Sequence, residues 1–205
     1  MLEAINIECV RGERRLFSDL NFSVSPGGFV QLTGANGSGK TSLLRILCGL
    51  APAAKGEVRW QGANIRSLGE EYFTDLTYIG HRPGVKDELT AIENLRVSAG
   101  LGGSKLNQQE ATLVLRTMGL GGRENLPARL LSEGQRRRLA LSRLSVCTSA
   151  LWLLDEVLTS LDKAAVALVS SLFEEHFSKG GMAIVATHQE LNVSASSFQR
   201  IELAS

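Results

Sequence analysis

Ile5, Ile7 and Cys9 alternate with Asn6 and Glu8, and Leu20, Phe22 and Val24 alternate with Asn21 and Ser23. A period of two predicts two strands, each with one face buried. Pro26-Gly27-Gly28 then turns the chain into Phe29-Val30-Gln31-Leu32, read as a third strand. Beyond it the period lengthens. Leu43, Leu44, Ile46, Leu47 and Leu50 recur at helical spacing until Gly49 and Pro52 stop the run. Gly56-Glu57-Val58-Arg59-Trp60-Gln61-Gly62 reads as another short strand, so the N-terminal pieces predict a small antiparallel sheet beside the core. Thr77-Tyr78-Ile79 is a short strand ending at Gly80-His81, after which the pattern turns helical. Thr90 and Glu93 form a capping box, and Lys105 to Met118 is helix-like until Gly119, Gly121 and Gly122 end it. Residues of about 85–146 thus read as a helical lobe inserted into an α/β core. Two unbroken apolar runs, Leu151-Trp152-Leu153-Leu154 and Ala183-Ile184-Val185-Ala186, suit strands of a parallel sheet buried on both faces.

The stretch between the third strand and the first helix changes the picture most. Gly34-Ala35-Asn36-Gly37-Ser38-Gly39-Lys40-Thr41 fits the phosphate-binding loop G-x-x-x-x-G-K-[ST]. Its glycines let successive backbone N–H groups converge on phosphate oxygens. Lys40 supplies a point charge to the terminal phosphates and Thr41 a hydroxyl to Mg²⁺. Four fixed residues of these types arise by chance in about one chain of this length in a hundred. The strand before and the helix after make the match specific, because the helix N-terminus then faces the anion.

Both later apolar runs end on polar residues, where open α/β sheets place their ligands. Asp155 suits Mg²⁺, directly or through water, since that ion prefers carboxylate and water oxygens. Glu156 follows it, and neighbours in extended chain point to opposite sides, so one carboxylate faces the metal and the other the attacking water. Glu156 is the expected general base, or the group that orients that water. The second run ends at Thr187-His188. Leu131-Ser132-Glu133-Gly134-Gln135 precedes a basic, amphipathic run over Arg136–Val146. Ser132 and Gln135 fit a capping box; the Ser132 hydroxyl and Gly134 amide equally fit a second anion-binding helix N-terminus, and nothing local decides between the two.

Length and charge narrow the classes. The 205 residues suffice for one domain, 1–205, with a full core. A net charge of +1 provides no basic field, so a nucleic-acid partner is not expected. No signal segment and no apolar run long enough to span a bilayer stands out, which predicts a cytosolic chain linked to any membrane through a partner. Cys9, Cys48 and Cys147 are far apart and form no C-x-x-C, so buried reduced thiols are expected. His176 lies on a polar stretch and reads as solvated.

The order of these motifs resembles the ATP-binding-cassette ATPases over essentially the whole chain: phosphate loop at 34–41, LSEGQ at 131–135, LWLLDE at 151–156, then Leu161-Asp162 and Thr187-His188. The resemblance implies a P-loop nucleotide-binding domain with ATP and Mg²⁺, working as a dimer. Ser132, Glu133, Gly134 and Gln135 of one subunit would contact nucleotide held by the loop of another. His188 would touch the γ-phosphate, and Asp162 would link the two sites. His81 stands where these ATPases usually place a Gln, Glu133 where they place a small residue, Val157 where they place Pro, and Val10-Arg11-Gly12 where they offer an adenine-stacking aromatic. Neutral imidazole is a poor ligand for hard Mg²⁺, and the Arg11 guanidinium can stack in place of an aromatic.

A narrower resemblance covers Arg11–Arg14 with Leu16-Phe17, Gly56–Gly62, Tyr78–Gly84 with Lys86, Leu89–Leu95, and Thr187-His188-Gln189 with Leu191-Asn192. These look like the ATPase subunit of the bacterial cytochrome c maturation (system I) complex, where Gly80-His81 is normal. That implies a peripheral position on the cytoplasmic face of the inner membrane, a multi-span permease-like partner with a docking face around residues 70–100, and an indirect link to a haem chaperone. No haem motif occurs, so this chain is expected not to bind haem. Competing readings are a cassette for another small solute, a soluble cassette acting on DNA or ribosomes, and a degenerate cassette that binds ATP without turnover. Intact Lys40, Asp155, Glu156 and His188 argue against the last.

Overall fold

The computed structural model describes residues 1–159, 161–189, 191 and 193–203. Asn192, quoted above in the narrower resemblance, lies outside them. Strands β1 (Leu2–Arg11) and β2 (Arg14–Val24) form an antiparallel hairpin. The strict alternation read from Ile5 to Cys9 is interrupted. Leu2 and Ala4 are buried, then Ile7 and Cys9, because the pairing shifts between Ala4 and Ile7 and Asn6 turns to a φ of 49°. This bulge moves the buried face by one residue. The Asn6 amide donates to Asn21 Oδ1 at 2.8 Å, which satisfies the donor the bulge releases.

After β3 (Gly28–Thr33) and helix α1 (Lys40–Leu47), strands β4 (Lys55–Trp60) and β5 (Ala63–Asn64) complete a four-stranded sheet in the order β2-β1-β4-β5. All its pairs are antiparallel. Gly56 is required where β4 meets the bulge: a Cβ there would lie 2.3 Å from the Ile5 carbonyl oxygen. Helix α1 buries Leu43, Leu44, Ile46 and Leu47, and Gly49 at φ 73° ends it, leaving Leu50 exposed.

Short helices α2 (Ile65–Leu68) and α3 (Glu70–Thr74) lead to β6 (Leu76–Ile79). Helices α4 (Ala91–Leu101), α5 (Gln108–Thr117) and α6 (Glu133–Leu141) follow, then β7 (Leu151–Asp155), α7 (Lys163–Ser178), β8 (Met182–Ala186) and β9 (Ser197–Glu202). The second sheet runs β6-β7-β8-β3-β9, with β7–β8, β8–β3 and β3–β9 parallel. Every residue of β7 and β8 is buried, as unbroken apolar strands between covering layers must be. An antiparallel β sheet, a parallel sheet and an inserted run of helices make this an α/β fold.

The chain divides into two compact units, Met1–Tyr78 with Ser149–Glu156 and Glu174–Ser205, and Ile79–Thr148 with Val157–Phe173. The first holds both sheets around Leu32, Leu43, Leu153 and Ile184. The second packs Leu95, Leu115, Leu131 and Leu139 into its own core. Both expected capping boxes of this unit form, at Thr90–Glu93 and at Ser132–Gln135.

Candidate active site

The loop between β3 and α1 bends because its glycines take conformations that other residues avoid: φ is 136° at Gly34, 84° at Gly37 and 107° at Gly39. Two of the three also lack room for a side chain. A Cβ on Gly34 would lie 2.5 Å from the Leu203 carbonyl oxygen, and one on Gly39 would lie 2.9 Å from Cε1 of Phe17. The result is a tight arch closed by the Ser38 amide donating to Ala35 O at 3.1 Å. Ala35, Asn36 and Gly37 stay exposed at its crest. Lys40 lies underneath, 5% exposed, with Nζ donating to Gly34 O at 2.6 Å and Ala35 O at 3.2 Å. The Ser38 hydroxyl is buried without a hydrogen-bond partner, and the Thr41 side chain faces solvent at the start of α1.

The polar strand ends lie in the same unit. Asp155 closes β7 and is almost fully buried. Glu156 does not continue the strand. Its φ is 51°, and its amide donates to Ala186 O at 2.9 Å, so it turns out of the sheet. The opposite-faces argument for the two carboxylates therefore gives way to a left-handed turn, a strained backbone that local structure must enforce. The turn brings Glu156 Oε1 to 3.9 Å from Lys40 Nζ. At the end of β8, Thr187 is buried and its amide donates to Leu32 O at 3.2 Å, fixing His188 as an exposed residue beyond β3 and β8. Gln31, buried in β3, donates to Gln189 O at 3.1 Å and accepts from Arg200 Nε at 3.2 Å, so it braces the chain around His188. Lys40 and Glu156 thus converge beneath the loop, and Asp155 precedes Glu156 at the end of β7.

Two contributors went unread in the sequence. Tyr78 is held as a neutral phenol, its pKa pushed up to about 12 by burial and then by the negative charge of Asp155. Phe17 packs its ring where a Gly39 side chain would stand. An aromatic in the strand after Arg11 is its only sequence trace. Arg11 itself pairs with Arg14 at the exposed tip of the hairpin.

The remaining candidates belong to the second unit. Ser132 caps α6: its Oγ accepts from the Gln135 amide at 3.3 Å while Gln135 Oε1 accepts from the Ser132 amide at 3.0 Å. Glu133 is exposed and Gly134 half-buried in the first turn. A capped helix of nine residues also directs its N-terminal dipole outward, so the cap and an anion site are compatible. His81 is exposed, and its carbonyl accepts from Arg137 Nη1 at 3.1 Å. Asp162 caps α7, accepting from the Ala165 amide at 2.8 Å, and pairs with Arg138. Val157 is fully buried, which suits an apolar residue at that position.

Cys9 and Cys48 are buried thiols, and burial pushes Cys48 up to about 11. His176 is not solvated as expected. Its ring stacks on Trp152 with centroids 3.7 Å apart, Nε2 lies 3.1 Å from Met182 O, and burial pushes its pKa down.

The donor set fits a nucleoside triphosphate and a hard cation. The arch offers backbone N–H groups and a buried ammonium to phosphate, while the Thr41 hydroxyl and Asp155 carboxylate are oxygen donors of the kind Mg²⁺ accepts.

Residues 17–159 match the family model described as ABC transporter. The cytochrome c biogenesis ATP-binding export protein CcmA of Nitrosospira multiformis is 57% identical over 202 residues, 98% of each chain. The protein of the same name from Nitrosomonas europaea is 54% identical over 204 residues, covering 100% of this chain and 96% of its own. The dimeric structure of a bacterial ABC transporter cassette matches with a TM-score of 0.81 at 22% identity, over 100% of this chain and 94% of that one, a likeness of fold. The phosphate-loop arch on this fold and the similarity along the whole chain lead to one assignment: the chain belongs to the ABC transporter family, among the cytochrome c biogenesis ATP-binding export proteins.

Proposed function

We propose that the chain hydrolyses ATP to energise a membrane complex that matures c-type cytochromes. The observation that carries this reading is a loop, ammonium and carboxylate constellation intact for hydrolysis, in a chain similar end to end to proteins named for cytochrome c biogenesis. Lys40 exchanges the Gly34 and Ala35 carbonyls for the terminal phosphates of ATP, and the N–H groups of Gly34, Ala35, Asn36, Gly37, Ser38 and Gly39 take the remaining phosphate oxygens. Thr41 and Asp155 would hold Mg²⁺, which would supply charge neutralisation to the phosphate oxygens. Glu156 orients the attacking water and accepts its proton. His188 donates to the γ-phosphate.

The working unit is a dimer in which Ser132, Gly134 and Gln135 of one subunit close over ATP on its partner, with His81 at the margin of the same site. No helix among the described residues is long and apolar enough to cross a membrane. The stroke passes to a multi-span permease-like subunit at the cytoplasmic face of the inner membrane. It serves haem delivery by way of a haem chaperone, while this chain binds no haem itself. Sedimentation of the full chain with Mg-ATP tests the enzyme part. Glu156→Gln should bind ATP, lose turnover and accumulate as a dimer, whereas the unmodified chain should return to monomer as ATP is consumed. A Glu156→Gln chain that hydrolyses ATP at the unmodified rate contradicts the role given to that carboxylate.

A further inference from the structure

Gln31 interrupts the apolar run of β3. Its neighbours Phe29, Val30 and Leu32 are buried, and so is Gln31 itself, at 4% exposure. A buried amide needs partners for two donors and an acceptor. Nε2 donates to Gln189 O at 3.1 Å and, at a longer 3.4 Å, to Thr187 O. Oε1 accepts from Arg200 Nε at 3.2 Å. Carbonyls only accept and a guanidinium only donates, so these partners permit one orientation of the amide. The two carbonyls lie on either side of His188 in the chain. Two further hydrogen bonds hold the same bend: the Thr187 amide donates to Leu32 O at 3.2 Å, and the Gln189 amide donates to Thr187 Oγ1 at 3.0 Å. The backbone of 187–189 is therefore pinned to β3 while His188 stays exposed. All of these residues lie in one compact unit, which also holds the phosphate loop, Lys40 and Glu156.

We propose that Gln31 is a positioning residue for ATP hydrolysis: its amide straps the carbonyls on both sides of His188 to β3 and so fixes the imidazole for its contact with the γ-phosphate, with Arg200 orienting the strap. Strands β3, β7 and β8 are parallel, so their carboxyl ends lie side by side. Gln31 stands three residues before Gly34, where the phosphate loop begins, so the loop and the His188 bend hang from the same strand. The Glu156 amide donates to Ala186 O at 2.9 Å, directly before Thr187, so the turn that carries Glu156 shares this anchor. A group whose supports are fixed before the substrate arrives reorganises less on the way to the transition state. The fold itself requires only an apolar side chain at this place, since Gln31 pairs in register with Val185 of β8 in a sheet buried around it. Burying an amide there is unfavourable unless it is hydrogen-bonded, and such a local departure is the mark of a role at the site. Arg200 is exposed on the edge strand β9, so it contributes little to stability and acts through its hydrogen bond to Oε1.

The inference rests on the ATPase reading above, and the test separates the two. Mg-ATP turnover, KM and melting midpoint are measured for the full chain and for Gln31→Met, Arg200→Met, Arg200→Lys, His188→Ala and the Gln31→Met/His188→Ala double variant, with single-turnover hydrolysis for the slowest. Met keeps the length and packing of Gln and removes the amide. Gln31→Met should lower kcat about tenfold, with KM for ATP within about twofold. Arg200→Met should lower kcat about threefold at an unchanged melting midpoint, and Arg200→Lys, which keeps a donor for Oε1, should restore part of the rate. In the His188→Ala background Gln31→Met should slow hydrolysis no further, because the strap acts through the imidazole. Arg200 is exposed, so its variants keep the test valid where Gln31→Met fails to fold. A lowered melting midpoint with unmodified kcat in Gln31→Met, an unmodified kcat in Arg200→Met, or a Gln31→Met loss that persists in full without His188 overturns the strap. An unmodified chain without ATPase activity would instead refute the underlying reading.

Discussion

Replacing Lys40 by Met separates what this residue does for the fold from what it does for ATP. Met keeps most of the packed stem and removes the ammonium. Without nucleotide, the change deletes donations to Gly34 O and Ala35 O and an approach of 3.9 Å to Glu156. Hydrogen bonds to charged groups contribute about 1.5–3 kcal/mol each. Two effects offset this: both carbonyls lie on half-buried or exposed residues and can turn to water, and a buried charge is removed with its desolvation penalty. The net loss should be about 0–2 kcal/mol, a fall in melting midpoint of at most about 8 °C for a chain of this size. With ATP the balance differs. Ligand at about 100 times Kd stabilises the unmodified chain by about 2.7 kcal/mol, a rise of about 5–11 °C. In Lys40→Met that rise should vanish. Differential scanning calorimetry with and without Mg-ATP reads both quantities. An ATP-dependent rise equal to that of the unmodified chain would refute the phosphate role, and a nucleotide-free midpoint lowered by much more than 8 °C would refute the stability argument.

Gly39→Ala should destabilise the chain by about 1–3 kcal/mol and abolish ATP binding, because φ is 107° and the new Cβ would sit 2.9 Å from Phe17. Gly37→Ala meets nothing within 4 Å and should incur only the backbone strain, so chemical denaturation must rank Gly39→Ala as the worse of the two. His176, pushed below its ordinary value of 6.5 by burial, supplies stability that is full above that value and lost as pH falls through the folded-state value. Melting midpoints followed downward from neutral pH should therefore decline, and decline less in His176→Phe. An identical pH profile in that variant contradicts the assignment.

Legibility in the sequence followed the strength of local signals. The phosphate loop was readable because a strand, three glycines, a lysine and a helix must occur together for the arch to close. The fully buried β7 and β8 were readable as unbroken apolar runs. By contrast β9 has a mostly exposed pattern, and in α7 the buried positions, Ala165, Val169, Phe173 and Phe177, are blurred by further apolar residues between them, Val166, Ala167, Leu168 and Leu172. Asn6 and Glu156 escaped because left-handed turns at non-glycine residues carry no sequence mark. His176 looked solvated because its partners, Trp152 and Met182, belong to strands β7 and β8 and not to its own helix. For Arg137, Arg138 and Arg143 local sequence shows only the charge, because their acceptors, His81 O, the Asp162 carboxylate and Pro83 O, come from distant parts of the chain.

Whether this chain drives cytochrome c maturation is decided by a haem stain of c-type cytochromes in cells whose only copy of it carries Glu156→Gln. Holocytochromes c should be lost while b-type haem proteins remain at normal levels and the variant chain is present in normal amount. Normal holocytochromes c in those cells would contradict that role.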